Sequence, residues 1–237
     1  MTRVARALPV CIAALLLSGC GGAALNWDTR VPAEHIVRSG ETLYAIAWRY
    51  GLEVHDLARW NGLGDGSLIR PGQRIVLRPS GAAAATPASS ASSPRPAQTR
   101  SSRSAGSPAV PDLPPPPWQW PTDGVISAGF GEDNSARTGV LIDGRRGQDV
   151  YAAADGEVVY AGSGLIGYGN LVIIKHNATY LSAYGHNETL AVAEGQKVRK
   201  GQRIASMGEG PGRRPRLHFE IRRNGDPVDP GRFLPTR

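Results

Sequence analysis

Near the C-terminus the residues Arg216-Leu217-His218-Phe219-Glu220-Ile221 alternate between polar and apolar types without a break. As a β-strand they bury Leu217, Phe219 and Ile221 on one face and set Arg216, His218 and Glu220 along the other. Two imidazoles spaced i, i+2 on such a face can converge on one metal ion or one reacting water. Here the first of those positions holds Arg216, and a guanidinium has no lone pair to offer a cation. The other imidazoles are His35, His55, His176 and His186, and none stands between His55 and His176. His35 and His55 have no Cys or acidic partner at metal spacing and read as surface residues. His186 and His218 read as hydrogen-bonded side chains of a groove wall. The alternative is an unconventional ligand set of His186 and His218 with Asp143 or His176.

Cys20 carries a different chemistry. Arg3 and Arg6 precede an apolar run from Ala7 to Leu17 and the small residues Ser18 and Gly19, the pattern of a secretion signal over residues 1–19. The run falls short of the roughly 20 apolar residues that span a bilayer. Leu17-Ser18-Gly19-Cys20 resembles a bacterial lipobox, which implies that Cys20 becomes the lipidated first residue of the mature chain. Cys11 leaves with the signal, so one Cys remains and no internal disulfide can form. Gly21, where an Asp would imply retention at the inner membrane, implies the periplasmic face of the outer membrane. Residues 20–33 then form a tether. The formal net charge of +7 is spread thinly along the chain, which argues against nucleic acid and fits an anionic partner such as cell-wall polymer.

Between residues 34 and 78 the order of elements is strand, helix, helix, strand. Glu34-His35-Ile36-Val37 opens it, Leu43, Ile46, Ala47 and Tyr50 mark a first helix that Gly51 ends, and Val54, Leu57 and Ala58 mark a second that closes at Asn61-Gly62. Pro71-Gly72 turns the chain into Arg74-Ile75-Val76-Leu77. Val37-Arg38-Ser39-Gly40-Glu41-Thr42-Leu43, Trp60-Asn61-Gly62-Leu63 and Ile69-Arg70-Pro71-Gly72-Gln73 resemble the signature of the LysM domain. That resemblance implies a βααβ fold binding N-acetylglucosamine-containing glycans, chiefly peptidoglycan, through Gly40, Thr42, Leu43, Leu68 and Ile69. For Leu43, Trp60 and Ile69 plain core packing is the competing use.

Residues 79–117 hold ten of the 19 prolines, no aromatic residue and a single acid, Asp112. Such a composition cannot bury enough apolar surface to offset its ordering entropy and reads as a disordered linker. Its reach as a flexible coil is roughly 35 Å, which leaves the flanking domains free of a fixed geometry.

From 118 to 237, short β-branched runs recur between glycines: Val125–Ser127, Val140–Ile142, Glu157–Tyr160, Leu171–Ile174, Tyr180–Tyr184 and the opening stretch. No helical period of useful length interrupts them, so the segment reads as all-β. Trp120-Pro121, Gly129-Phe130-Gly131, Val150 to Gly156, Gly167-Tyr168-Gly169-Asn170-Leu171, Tyr184-Gly185-His186 and Leu217-His218-Phe219-Glu220 resemble the M23 (LytM-type) peptidase domain. This implies an all-β fold of the duplicated hybrid motif type, and in active members a zinc ion held by His and Asp of H-x-x-x-D and by the second His of H-x-H. Matching Gly139, Gly144 and Gly147 to that pattern puts Arg137 and Leu141 at the first two ligand positions and Arg216 at the first His of H-x-H. His218 keeps the third ligand position and His186 the separate catalytic one. No metal and no other cofactor is expected of this set.

A lipobox, one LysM domain, a linker and an M23 domain without its zinc ligands resemble the murein hydrolase activator lipoproteins. The resemblance implies a partner, a periplasmic N-acetylmuramoyl-L-alanine amidase, and a role in septal cell-wall splitting. The vacated groove, with Arg137, Leu141, His186, Arg216, His218 and Glu220 on or near it, is the expected contact. A zinc endopeptidase with an unusual site, and a passive tether between membrane and wall, are the alternatives.

Overall fold

The computed structural model describes residues 31–64, 68–78, 112–132 and 136–236. Cys20, the signal, the tether up to residue 30 and residues 79–111 of the expected linker lie outside the described residues.

The first domain is built from β1 (Glu34–Ile36), α1 (Leu43–Tyr50), α2 (Val54–Trp60) and β2 (Arg74–Val76), with β1 and β2 antiparallel. Thr42 starts α1 because its hydroxyl accepts the Ala45 N–H at 3.1 Å, and Gly51 stops it in the left-handed region at φ 63°. Asn61 ties α2 to β2: its amide donates to Leu57 O at 2.8 Å and Val76 O at 2.9 Å and accepts from Val76 N–H at 2.7 Å. Leu43, Ile46, Ala47, Val54, Leu57, Ile75 and Leu77 form the core. His35, expected at the surface, is buried instead. The pairing of β1 with β2 sets His35 opposite Ile75 on the inward face, and its ring nitrogens lie 3.0 Å from the Tyr50 hydroxyl and 2.7 Å from Glu41 Oε2.

The second domain runs through β3 (Val125–Ala128), β4 (Val140–Asp143), β5 (Asp149–Tyr151), β6 (Gly156–Gly162), β7 (Asn170–Lys175), β8 (Tyr180–Leu190), β9 (Lys197–Val198), β10 (Arg203–Met207), β11 (Arg216–Arg223) and β12 (Asp226–Val228). The sheet order is β3-β4-β11-β8-β7-β6-β9; β10 pairs with β5 and β8, and β12 pairs with β11. Every pairing is antiparallel. Among the described residues its only helical pieces are two single 3-10 turns, so the all-β expectation holds. Strand alternation divides the side chains. Val140, Ile142, Val172, Ile174, Tyr184, Leu217, Phe219 and Ile221 fill the main core, and Leu171, Ile173 and Ala183 point to the opposite face with Tyr160 and Leu165. Packing at the site end is close. A Cβ on Gly139 would sit 2.3 Å from Phe219 O, so glycine is required there.

Two expectations about the linker are corrected. Its last six residues, 112–117, lie against the second domain: Asp112 pairs with Arg223, Leu113 N–H donates to Thr179 Oγ1 at 2.9 Å, and Asn177 Nδ2 donates to Pro114 O at 3.3 Å. The two domains, moreover, have a fixed contact. Helix α1 is buried on two faces, and the second carries Ala45 and Trp48 onto Tyr160, Leu165, Leu171, Ile173 and Ala183. Arg222 on β11 stacks on Trp48, with Cζ 3.6 Å from the ring centre, and donates from Nη1 to Trp48 O at 3.0 Å. Thr42 Oγ1 to Val159 O at 3.2 Å and Arg49 Nη2 to Gly164 O at 2.9 Å complete the seam.

Removing a buried Trp side chain costs about 3–5 kcal/mol, and here the loss also strips Arg222 of its stacking partner. We expect Trp48→Ala to lower unfolding stability by about 3 kcal/mol or more in a denaturant melt. A change below about 0.5 kcal/mol, the range of ordinary surface substitutions, would mean that Trp48 is not seated on the second domain.

Candidate functional site

The register of three strands builds the site. On β11, His218 stands directly opposite Leu141 of β4 on one side and Gly185 of β8 on the other. The even-numbered side chains Arg216, His218, Glu220 and Arg222 therefore share the face turned away from the main core. Immediately after Gly185 the chain takes φ 62° at His186, and its N–H donates to Tyr168 O at 2.7 Å. This strained residue brings the His186 ring to 5.9 Å from that of His218, edge to face.

Beneath the two rings lies Glu220, fully buried. Its Oε1 accepts from Thr138 Oγ1 at 2.6 Å and Tyr168 OH at 2.8 Å, and lies 2.8 Å from His218 Nε2. Its Oε2 accepts from Arg222 Nε at 3.2 Å. Burial alone would push this carboxyl up, but the His218 hydrogen bond, the Arg222 charge and the Thr138 hydroxyl outweigh it and hold it below the usual carboxylate range. Burial, helped by the Glu220 charge, pushes Tyr168 up to about 12. His186 is pushed down to about 4, first by burial and then by His218 and Arg216.

Of the residues expected to line a groove, Leu141, His186, Arg216, His218 and Glu220 come together on β4, β8 and β11, and they differ in depth. Arg137 is exposed and His186 half-buried. Arg216 and His218 are buried at the base, and Leu141 and Glu220 have no accessible surface at all. Leu141 and Glu220 are therefore floor rather than wall: the register opposite His218 turns Leu141 onto Ala128 and Ala136. Nor is Arg216 a free cation, since its Nε stands 3.2 Å from Asp143 Oδ1, although outside hydrogen-bonding geometry. Arg214 Nη2 donates to Asp143 Oδ2 at 3.2 Å.

These neighbours decide whether a zinc site fits. Asp143 is taken by two arginines. His176 lies elsewhere, with Nδ1 at 2.6 Å from Asp155 O, Nε2 at 2.7 Å from Ser182 Oγ, and its ring 4.7 Å from that of Trp118. Among the described residues no three His, Cys, Asp or Glu side chains converge as a metal ligand set, and Asp133 lies outside them. The residues present do not fit the zinc centre of active M23 peptidases, because one imidazole between two guanidinium-bearing positions and a leucine cannot hold a dication.

In the first domain, Gly40, Thr42, Leu43, Leu68 and Ile69 all line one cleft of about 470 Å³. Leu43 itself is buried in the core, so its side chain packs rather than reads a ligand. Sequence reasoning missed the other wall, which comes from the second domain through Glu157, Val158, Val159, Glu194 and Gly195.

Two families match this layout: the LysM domain over residues 35–78 and Peptidase family M23 over residues 135–230. The "Lipoprotein NlpD/LppB homolog" of Pseudomonas aeruginosa is 44% identical over 246 residues, covering 93% of this chain and 83% of that protein. The chain belongs to the NlpD/LppB lipoprotein family. The "Murein hydrolase activator NlpD" of Escherichia coli is 53% identical over 120 residues, 51% of this chain and 32% of that protein. The "Outer membrane antigenic lipoprotein B" of Haemophilus influenzae is 54% identical over 118 residues, 50% of this chain and 29% of that protein. An NlpD/LppB-type chain with a LysM domain has a cell-wall role. No helix among the described residues is long and apolar enough to cross a membrane.

Two half-buried imidazoles of this family member make its stability pH-dependent. His186 and His176 are both pushed down to about 4, chiefly by burial, whereas unfolded imidazoles protonate near pH 6.5. Between those values the unfolded chain binds protons that the folded chain refuses, so stability falls as pH falls. Denaturant melts at about pH 7 and about pH 5 should show that loss. It should shrink in His186→Asn, a residue that tolerates the left-handed backbone. An undiminished loss in the variant would contradict a neutral His186 in the folded chain.

Proposed function

We propose that this chain is a periplasm-facing lipoprotein of the outer membrane, anchored through acylated Cys20, that binds peptidoglycan and activates an N-acetylmuramoyl-L-alanine amidase during septal cell-wall splitting. The observation that carries the reading is the His218 position on β11, opposite Leu141 and beside Arg216. In this reading the M23 fold has lost its metal ligands, and the surface around His186 and Arg137 is reused as a peptide-binding face. The "Murein hydrolase activator" name of a relative that matches about half of the chain supports the same reading.

The groove works as a binding cleft. Exposed Arg137 offers a guanidinium to a carboxylate on the partner, and half-buried His186 offers a neutral imidazole. Below them, His218 Nδ1 and Arg216 Nε are buried without a hydrogen-bond partner among the described residues. A partner backbone or side chain that entered the groove would satisfy them, a gain worth about 1–3 kcal/mol for each orphaned group. A cleft that holds an inhibitory segment of the amidase only in its displaced form shifts the amidase population toward the open state. Wall binding by the LysM domain raises the local concentration of the activator at the substrate.

Dye release from labelled peptidoglycan, measured with the full chain, a cognate amidase and both together, tests this. Release is expected only with both, and Arg137→Glu should cut it roughly tenfold, the effect of losing one charge-assisted contact of about 1.4 kcal/mol, with sugar binding intact. Chelator-sensitive release by this chain alone would replace the reading with a zinc endopeptidase. No release with any amidase would leave a passive tether.

A further inference from the structure

We propose that the glycan cleft is a two-domain site, closed by the M23 domain and selective for a neutral N-acetylated oligosaccharide. The inference rests on the peptidoglycan-binding reading of the LysM domain and goes beyond it, because half of the site lies outside that domain. One wall is the loop before α1, from Gly40 to Leu43, with Leu68 and Ile69 before β2; the other is β6 at Glu157–Val159 with the Glu194–Gly195 turn.

The facing walls are held at a set distance. Thr42 Oγ1 donates across the seam to Val159 O at 3.2 Å, at the cleft itself. About two turns along α1, Arg49 Nη2 donates to Gly164 O at 2.9 Å, and Trp48 is buried with Arg222 stacked upon it. The cleft volume of about 470 Å³ falls within the range of ordinary small-ligand sites, about 300–1,000 Å³. It is a consequence of docking and not of the LysM fold alone.

The chemistry of the two walls is complementary. Leu68 is 93% exposed, and with Ile69 it offers apolar surface to acetamido methyl groups and sugar ring faces. Glu157 and Glu194 on the opposite wall are both exposed carboxylates. Glu194 spends one oxygen weakly, accepting Ala161 N–H at 3.3 Å. Carboxylate oxygens accept strongly from hydroxyl groups and repel anions. A neutral sugar therefore gains hydrogen bonds on this wall, and a strand bearing free lactyl carboxylates is disfavoured. Because the ligand touches both domains, its binding also stabilises their docking by mass action.

The test is calorimetric titration of the full chain with chitotetraose, a neutral probe, and with glycan strands stripped of stem peptides, an anionic one. The wild-type chain should bind the neutral probe more tightly. Leu68→Ser, Glu157→Ala and Glu194→Ala each alter an exposed side chain, and thermal melts verify their folding. The leucine variant and the double glutamate variant should each lose roughly tenfold in affinity for chitotetraose, about 1.4 kcal/mol. If Leu68→Ser weakens binding while the glutamate variants match wild type, the site belongs to the LysM domain alone; the two-domain inference is overturned and the wall-binding reading stands. If wild type does not bind chitotetraose, or Leu68→Ser leaves binding unchanged, the glycan assignment of the cleft fails and takes this inference with it.

Discussion

Glu220 carries a charge with no access to water, and much of the molecule is arranged around that fact. An ionised carboxylate in such a place is tolerated only when it is hydrogen-bonded and paired. Thr138, Tyr168 and His218 meet one oxygen and Arg222 the other. Arg222 is itself buried and so needs its own cover, which Trp48 supplies from the other domain through its ring face and its carbonyl. The chain of compensation thus runs from the groove under His186 and His218, through one buried ion pair, into helix α1 of the LysM domain. The geometry of the groove floor and the docking of the domains are one electrostatic structure.

This arrangement gives the M23 face two uses. At one end, where β4, β11 and β8 meet, His218 Nδ1 and Arg216 Nε are buried without a hydrogen bond among the described residues. At the other end, Leu171, Ile173 and Ala183 would expose a broad apolar surface if α1 did not cover it. Tyr168 belongs to both ends, packing beside the docked helix while donating to Glu220 and standing edge-on to His218.

What could be read from the residues, and what could not, follows from the range of the forces involved. Alternation in Leu217, Phe219 and Ile221, and the stripe of Leu43, Ile46 and Ala47, are local periodicities that report which face meets the nearest core, and both reports hold. Arg137 and Leu141, which the resemblance matches to the first two ligand positions, are residue types that cannot hold a metal, and that much is chemistry legible in the sequence. Trp48 was not, because it lies off the hydrophobic stripe of α1 and its burial depends on a strand more than a hundred residues away. The same holds for His35, buried by pairing with β2, and for residues 112–117, held by Thr179, Asn177 and Arg223 of the second domain. The strands β5, β9, β10 and β12, of two to five residues, are too short to carry a period, and only the sheet they join defines them.

The central claim is that the groove floor and the domain contact share one network, and a double-mutant cycle reads it most directly. Glu220→Gln and Trp48→Phe, alone and combined, are compared with wild type by denaturant unfolding at about pH 7. A shared network predicts a coupling energy of at least about 1 kcal/mol between two residues that do not touch through their own side chains, whereas additivity within about 0.5 kcal/mol is the signature of independent sites and would contradict it.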